Sequence, residues 1–299
     1  MTLPNFLIIG AAKAGTTALY WYLDQHPQVY MSPEKEPRFF SWVGQEWDPT
    51  NPALRKTINT LEKYEALFEG VQDEVAIGEA SPSYLFNPNA PVNIKKYIPE
   101  TKLVAVLRNP AERAFSHFLH FIKCAYEKEY NFDKAIRDIE GYKIGNWTPR
   151  EDYINFGFYG KQLRHYYDLF DKDQIKVYLH EDLKNDTPGI LRDIYGFLGV
   201  DSGFQTDVSI QHNVSGIPKN RWIQNLVSGK SLASKLTKPL KLLIPKKQRA
   251  LLKNRVGKMN LERPSLSGET RAYLISIYKN DIKELQQLID RDLSHWITA

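Results

Sequence analysis

The sequence predicts an α/β protein, a P-loop-like doubly wound parallel sheet flanked by helices. Three observations predict it. Short apolar runs recur at Asn5–Ile9, Val75–Gly78, Lys102–Leu107 and Ile175–Leu179, each the length of a strand buried on both faces. Helical patterns alternate with them, the arrangement that puts parallel strands side by side. The first run enters its helix through a tight loop, Gly10-Ala11-Ala12-Lys13-Ala14-Gly15, whose backbone N–H groups and helix dipole favour an anion.

From Thr16 the helical face carries Leu19, Tyr22 and Leu23, and Pro27–Ser32 reads as a turn. In Glu34-Lys35-Glu36-Pro37-Arg38-Phe39-Phe40, Pro37 excludes a regular helix interior, which holds Glu36 on a loop beside buried aromatics. Residues 41–60 read as irregular and Leu61–Phe68 as a short helix. The strand Val75–Gly78 runs out into Glu79-Ala80-Ser81-Pro82-Ser83-Tyr84, and Asn89–Tyr97 is helical. Lys102–Leu107 is the clearest strand. It ends at Arg108-Asn109-Pro110, where Pro110 starts a helix with Ala114, Phe115, Phe118 and Leu119 on its apolar side.

Phe158–Phe170 is an amphipathic helix, Ile175–Leu179 a strand, and Thr187–Leu198 a helix ending near Gly199. Gly203–Pro218 reads as loop, and Ser228–Pro245 as a basic stretch broken by Pro239. A last helix at about 267–297, with Leu274, Ile277, Tyr278, Ile282, Leu285, Leu288 and Ile289 at helical spacing, packs back on the domain. A single domain over 1–299 is expected, with a basic lid or acceptor-side segment at about 208–261. Lys13, Glu79, Arg108 and His180 then fall at the carboxyl ends of strands, where such sheets bind ligands.

A chain of 299 residues, 42% hydrophobic and 25% charged, has the make-up of a globular enzyme. No apolar run approaches the roughly 20 residues that span a bilayer, and no signal peptide precedes the first strand. Cys124 is the single cysteine, which excludes an internal disulfide and a cysteine metal cluster and points to a reducing cytoplasm. Charge is uneven along the chain. The 208–261 segment holds 12 of the 40 basic residues and no acidic one, leaving 28 basic against 35 acidic elsewhere. Such a segment is either a solvated face or a surface for an anionic nucleotide, glycan or lipid head group.

Gly10 and Gly15 have the glycine spacing of a nucleotide P-loop, and Thr17 has its hydroxyl. Thr16, however, stands where that motif has its lysine, and Lys13 lies inside the loop. A lysine there sits beside a shorter 5′ substituent than a triphosphate. The segment resembles the 5′-phosphosulfate loop of sulfotransferases that use 3′-phosphoadenosine 5′-phosphosulfate (PAPS). The R-x₇-S run from Arg108 to Ser116 resembles the 3′-phosphate motif of the same family, the arginine ending a strand and the serine two turns into the next helix. The resemblance implies a sulfotransferase fold and binding of PAPS, with 3′-phosphoadenosine 5′-phosphate (PAP) as product, by Lys13, Ala14, Gly15, Thr16, Thr17, Arg108 and Ser116. Asn213 to Arg221 resembles the late basic loop over the nucleotide, which would add Lys219 and Arg221.

In the heparan sulfate sulfotransferases and their bacterial relatives a glutamate precedes a Phe-Phe pair. Glu36 falls on that position and is the expected base, with Lys13 stabilising charge on the departing 5′-phosphate. His117 and His120 are ranked behind it. Two departures weaken the inference of a heparan-like acceptor. Arg38 replaces a frequent histidine, and Ala80 a frequent lysine, so a second cation must come from Lys35, Arg38 or elsewhere. No metal and no nucleic acid partner is expected. The implied activity is in-line sulfuryl transfer to a hydroxyl or amine of a small molecule, glycan or lipid, in a bacterial cytoplasmic enzyme. Trp42, Trp47, Tyr84 and Trp147 are candidates for an acceptor site or for core. Two other classes stay open at this point. One is a P-loop kinase or nucleotide hydrolase, and the other a non-catalytic protein that binds acidic glycans or membrane surfaces through 208–261.

Overall fold

The first apolar run forms the central strand β1 (Phe6–Gly10), all five residues buried. A computed structural model of the chain describes residues 2–45, 58–124, 126–127, 129–137, 149–209, 217–218, 261–262 and 264–298. After β1 come α1 (Thr16–Leu23), β2 (Val29–Met31), the one-turn α2 (Phe39–Trp42) and α3 (Leu61–Glu65), which closes in a 3-10 turn at Ala66–Phe68. Next are β3 (Ala76–Ala80), α4 (Asn89–Tyr97), β4 (Lys102–Leu107) and α5 (Pro110–Cys124). α6 (Phe132–Arg137), α7 (Pro149–Asn155) and α8 (Tyr159–Tyr167) precede β5 (Ile175–Leu179), α9 (His180–Asn185) and α10 (Thr187–Leu198). Ile217–Pro218 pairs antiparallel with Leu261–Glu262, before α11 (Gly268–Ile289) and α12 (Ser294–Ile297).

The main sheet has the order β2-β3-β1-β4-β5, and every pair is parallel. β1 lies between β3 and β4 because both its faces are apolar and it has no edge to present to water. Phe6 pairs with Gly78, and a Cβ on Gly78 would lie 2.2 Å from the Phe6 ring. Glycine is therefore required there by close approach, not by conformation. From β1 the chain moves outward to β2 and β3. It then crosses to β4 and β5 on the other side. The crevice of such a sheet opens beyond the carboxyl ends of the two strands where the order reverses, here β1 and β4. Those ends are Gly10 and Leu107, next to Lys13 and Arg108.

Two expectations are corrected. Pro27–Ser32 is not wholly a turn, since Val29–Met31 pairs with β3 as an edge strand. Three residues carry too little alternation to read as a strand, and the pairing, with the Tyr30 hydroxyl donating to Leu67 O at 2.9 Å, supplies the order. The last helix is two. α11 stops at Ile289, Asp290 turns left-handed at φ 49°, and the Gln286 side chain accepts from Leu293 N at 2.7 Å. Asp290-Arg291-Asp292 offers nothing apolar to continue the buried stripe, and Asp292 Oδ1 accepts from Ser294 N at 2.9 Å where α12 begins.

Candidate active site

The loop after β1 is built by short-range geometry. Ala11 N donates to Val106 O of β4 at 2.7 Å and Ala14 N to Ala11 O at 3.1 Å, which folds the loop back over the strand ends. Lys13 is left-handed at φ 72°, and Gly15, at φ 106°, precedes the first residue of α1. A side chain at Gly15 would be strained by that φ and would also meet His180 Nδ1 at 3.2 Å. His180, at the start of α9, donates from Nδ1 to Ala14 O at 2.9 Å, and burial with Arg108 nearby lowers its pKa. It is thus a neutral prop beneath the loop. Thr16 is buried and Thr17 half-buried on the first turn of α1.

Lys13 is half-buried, and burial lowers its ammonium pKa to about 8, with Cys124, Lys123, Glu36 and Arg108 near it. Among the described residues no carboxylate stands within ion-pair distance of it.

Glu36 lies on the loop between β2 and α2, at φ 63°, with Arg38 also left-handed at φ 58°. Burial by itself would raise its carboxyl. Lys35 Nζ at 2.7 Å and Arg38 Nη2 at 2.9 Å outweigh that and hold the pKa at about 2. The ion pairs that would make Glu36 an ordinary surface carboxylate are therefore both present. Its charge nevertheless faces Lys13. Lys35 and Arg38, two of the sources expected for a second cation, both pair with Glu36.

Arg108 ends β4, about a quarter exposed, in a loose 3.5 Å pair with Glu112. Glu112 also binds Arg271 of α11. Asn109 caps α5 through Oδ1, accepting from Ala111 N at 3.0 Å, and Pro110 opens the helix. Along α5, Glu112, Ser116, His120 and Cys124 recur every four residues and form one stripe. Ser116 is half-buried one turn beyond Glu112. His120 Nε2 and Cys124 Sγ are 3.7 Å apart. Burial, with Lys13 and Lys123 near, lowers His120 to about 4 against the opposing pull of Glu36. His120 is therefore neutral and faces both expected catalytic residues.

His117 is a different case. It is buried, its Nδ1 lies 3.2 Å from Arg113 Nη1, and burial holds it well below the usual histidine value. Arg113, wholly buried, donates to Asp152 O at 3.2 Å and to Tyr153 O, tying α5 to α7. Tyr84 is also fully buried and belongs to the core, whereas Trp42 is half-buried. Lys219, Arg221, Trp47 and Trp147 lie outside the described residues, as does nearly all of 208–261.

The structure thus brings Lys13, Glu36, Arg108 and His120 to one end of the sheet. Sequence reasoning missed Lys123, Cys124 and Glu112, although the four-residue period from Glu112 was readable. It also missed Glu79 as more than a strand end. That carboxyl is fully buried, and burial pushes it up to about 7 against hydroxyl donors from Tyr84, Ser81 and Tyr64.

A family model described as the sulfotransferase domain matches residues 3–238. The crystal structure of a sulfotransferase from Alicyclobacillus acidocaldarius superposes with a TM-score of 0.74 at 29% identity, covering 100% of both chains. The Dictyostelium discoideum membrane-associated sulfotransferase kil1 is 31% identical over 143 residues, 46% of this chain and 28% of that protein. The bifunctional heparan sulfate N-deacetylase/N-sulfotransferase 4 of Mus musculus is 24% identical over 298 residues, 97% of this chain and 30% of that protein. The chain spans less than a third of the length of these two curated relatives. Among the described residues no helix is long and apolar enough to cross a membrane.

Proposed function

The chain belongs to the sulfotransferase domain family and is an enzyme of it, and from that premise we propose that it moves the sulfuryl group of PAPS to a hydroxyl or amine of an acceptor. What carries the proposal is the pair of cationic ends set side by side at the carboxyl ends of β1 and β4. One is the Lys13 loop and the other is Arg108. A donor with a 5′-phosphosulfate and a 3′-phosphate needs two such ends. A nucleoside triphosphate does not.

In this reading Lys13, Thr16, Thr17 and the amides of Ala14 and Gly15 hold the 5′ end, and Arg108 and Ser116 the 3′-phosphate. Lys219 and Arg221 are assigned to the 3′ end on sequence alone. The acceptor oxygen or nitrogen attacks sulfur in line, and the bond from sulfur to the 5′-phosphate oxygen breaks. Lys13 meets the charge left on PAP, and Glu36 takes the acceptor's proton. Lys35 and Arg38 must loosen for that step, because a carboxylate held at about 2 is a weak base. The transferred group carries less charge than a phosphoryl group, so no metal is assigned. A cytoplasmic setting with a glycan, lipid or small-molecule acceptor completes the reading, with peripheral membrane contact through 208–261.

Calorimetric titration with PAP in chelator, beside ATP with magnesium, tests the proposal. Tight PAP binding that weakens by about 2 kcal/mol in Arg108→Ala is expected, the loss of one charge-assisted contact. Preference for ATP with magnesium would return the loop to kinase chemistry.

A pH series gives a second expected result. PAP binding raises the Lys13 pKa above its free value of about 8, so affinity is full below pH 8 and falls as pH rises through it. The slope approaches tenfold per pH unit for one proton. Lys13→Ala should be flat between pH 7.5 and roughly 9.5, a window above the phosphate's own titration near pH 6. A wild-type affinity that is equally flat would remove Lys13 from the anion site.

A further inference from the structure

The segment that carries Glu36 holds two left-handed residues, Glu36 and Arg38, a conformation that persists only where surrounding bonds over-determine it. Those bonds alternate. Glu36 N donates to Ala80 O at 3.1 Å, Arg38 N to Ser81 Oγ at 3.0 Å and Phe40 N to the Tyr84 hydroxyl at 3.3 Å. Every second amide is thus fastened to the strip that leaves β3. Two of the three acceptors are hydroxyls, and a hydroxyl can rotate.

Glu79 decides which way one of them points. Its Oε2 accepts from Ser81 Oγ at 2.8 Å and its Oε1 from the Tyr64 hydroxyl at 3.3 Å. Above the value of about 7 to which burial raises it, the carboxylate is ionised and accepts only, so Ser81 turns its proton inward to Glu79 and its lone pairs remain for the Arg38 amide. Among the described residues Glu79 makes no ion pair with Lys13, Lys35, Arg38 or Arg108. It is wholly buried.

We infer that Glu79 is a positioning residue for sulfuryl transfer: through the Ser81 hydroxyl it fixes the Arg38 amide and so holds Glu36 in its left-handed turn beside Lys13. This rests on the reading of Glu36 as the base. The acceptor-only character of the carboxylate is the feature that matters. A carboxamide of the same shape brings two N–H donors, leaving at least one hydroxyl proton without an acceptor and freeing it to swing away from its amide.

The test uses Glu79→Gln and Ser81→Ala in the full chain, with Tyr64→Phe as the control. Tyr64→Phe also removes one hydroxyl from Glu79, but Tyr64 holds none of these amides. Amide exchange is read residue by residue by NMR at pH 7.5, together with PAP affinity and the rate of PAP release from PAPS with water in the acceptor's place. Ser81→Ala and Glu79→Gln are each expected to speed Arg38 exchange tenfold or more, while amides of β1 and β4 stay protected. PAP affinity should hold within twofold as the release rate falls about tenfold. In Tyr64→Phe the Arg38 amide should stay within threefold of wild type. Unchanged exchange at Arg38 in folded Glu79→Gln, or an equal effect in Tyr64→Phe, overturns the inference. Wild-type turnover in Glu36→Gln would instead remove the base reading, and the exchange data would still decide what Glu79 holds.

Discussion

Exchanging Lys13 for alanine is expected to slow sulfuryl transfer by about 10²–10³-fold, the loss that follows removal of one donor aimed at developing charge. The expectation follows from the lysine's surroundings. Burial has already stripped away enough water to bring its pKa to about 8, and no described carboxylate pairs with it. Coulomb attraction in such a place is several times stronger than in bulk water. Its largest partner arises only as PAP departs, so the effect belongs in kcat more than in binding. PAP release from PAPS, followed by chromatography for wild type and Lys13→Ala, checks it. Rates within threefold of each other would mean that the leaving phosphate is stabilised elsewhere.

For Glu36→Gln the expected loss depends on the acceptor, and that dependence is the more informative result. A general base contributes about 10²–10⁴-fold where the acceptor's proton is hard to lose. An alcohol has such a proton. A phenol, ionising near pH 10 as tyrosine does, needs far less help. Transfer to a sugar hydroxyl should therefore collapse in Glu36→Gln, while transfer to 4-nitrophenol falls much less. Lys13→Ala should harm both alike, because the leaving group is the same. Equal losses on both acceptors in Glu36→Gln would assign the carboxylate to holding Lys35 and Arg38 rather than to proton transfer.

The parallel sheet was legible because four of its five strands are apolar runs with nothing else to be, and Asn89–Tyr97, Lys102–Leu107 and Ile175–Leu179 have the expected bounds. β2 was not, since three residues carry no period and their order comes from β3. Lys13 and Arg108 could be read because each sits where a strand ends and a helix begins, which is a local property of sequence. The resting state of Glu36 could not. Its neutralisation by both Lys35 and Arg38 depends on two left-handed residues, and those depend on hydroxyls from Ser81 and Tyr84 more than 40 residues away. Lys123 and Cys124, beyond His120 on α5, were missed for a related reason. Both come near Lys13, which is more than a hundred residues away in sequence.

The polar stripe of α5 fixes the spacing of the groups along it. A helix rises about 1.5 Å per residue, so Glu112 and Cys124 are separated by about 18 Å along one rigid rod. Arg108 pairs with Glu112 near one end of that rod, and the other end, at Lys123 and Cys124, comes near Lys13. Inserting one residue between Glu112 and His120 would turn everything beyond it by about 100° and take His120 and Cys124 off the crevice, while β1 and β4 kept their places. Substitutions along this rod change one contact at a time; a change in its length moves every group beyond the insertion at once.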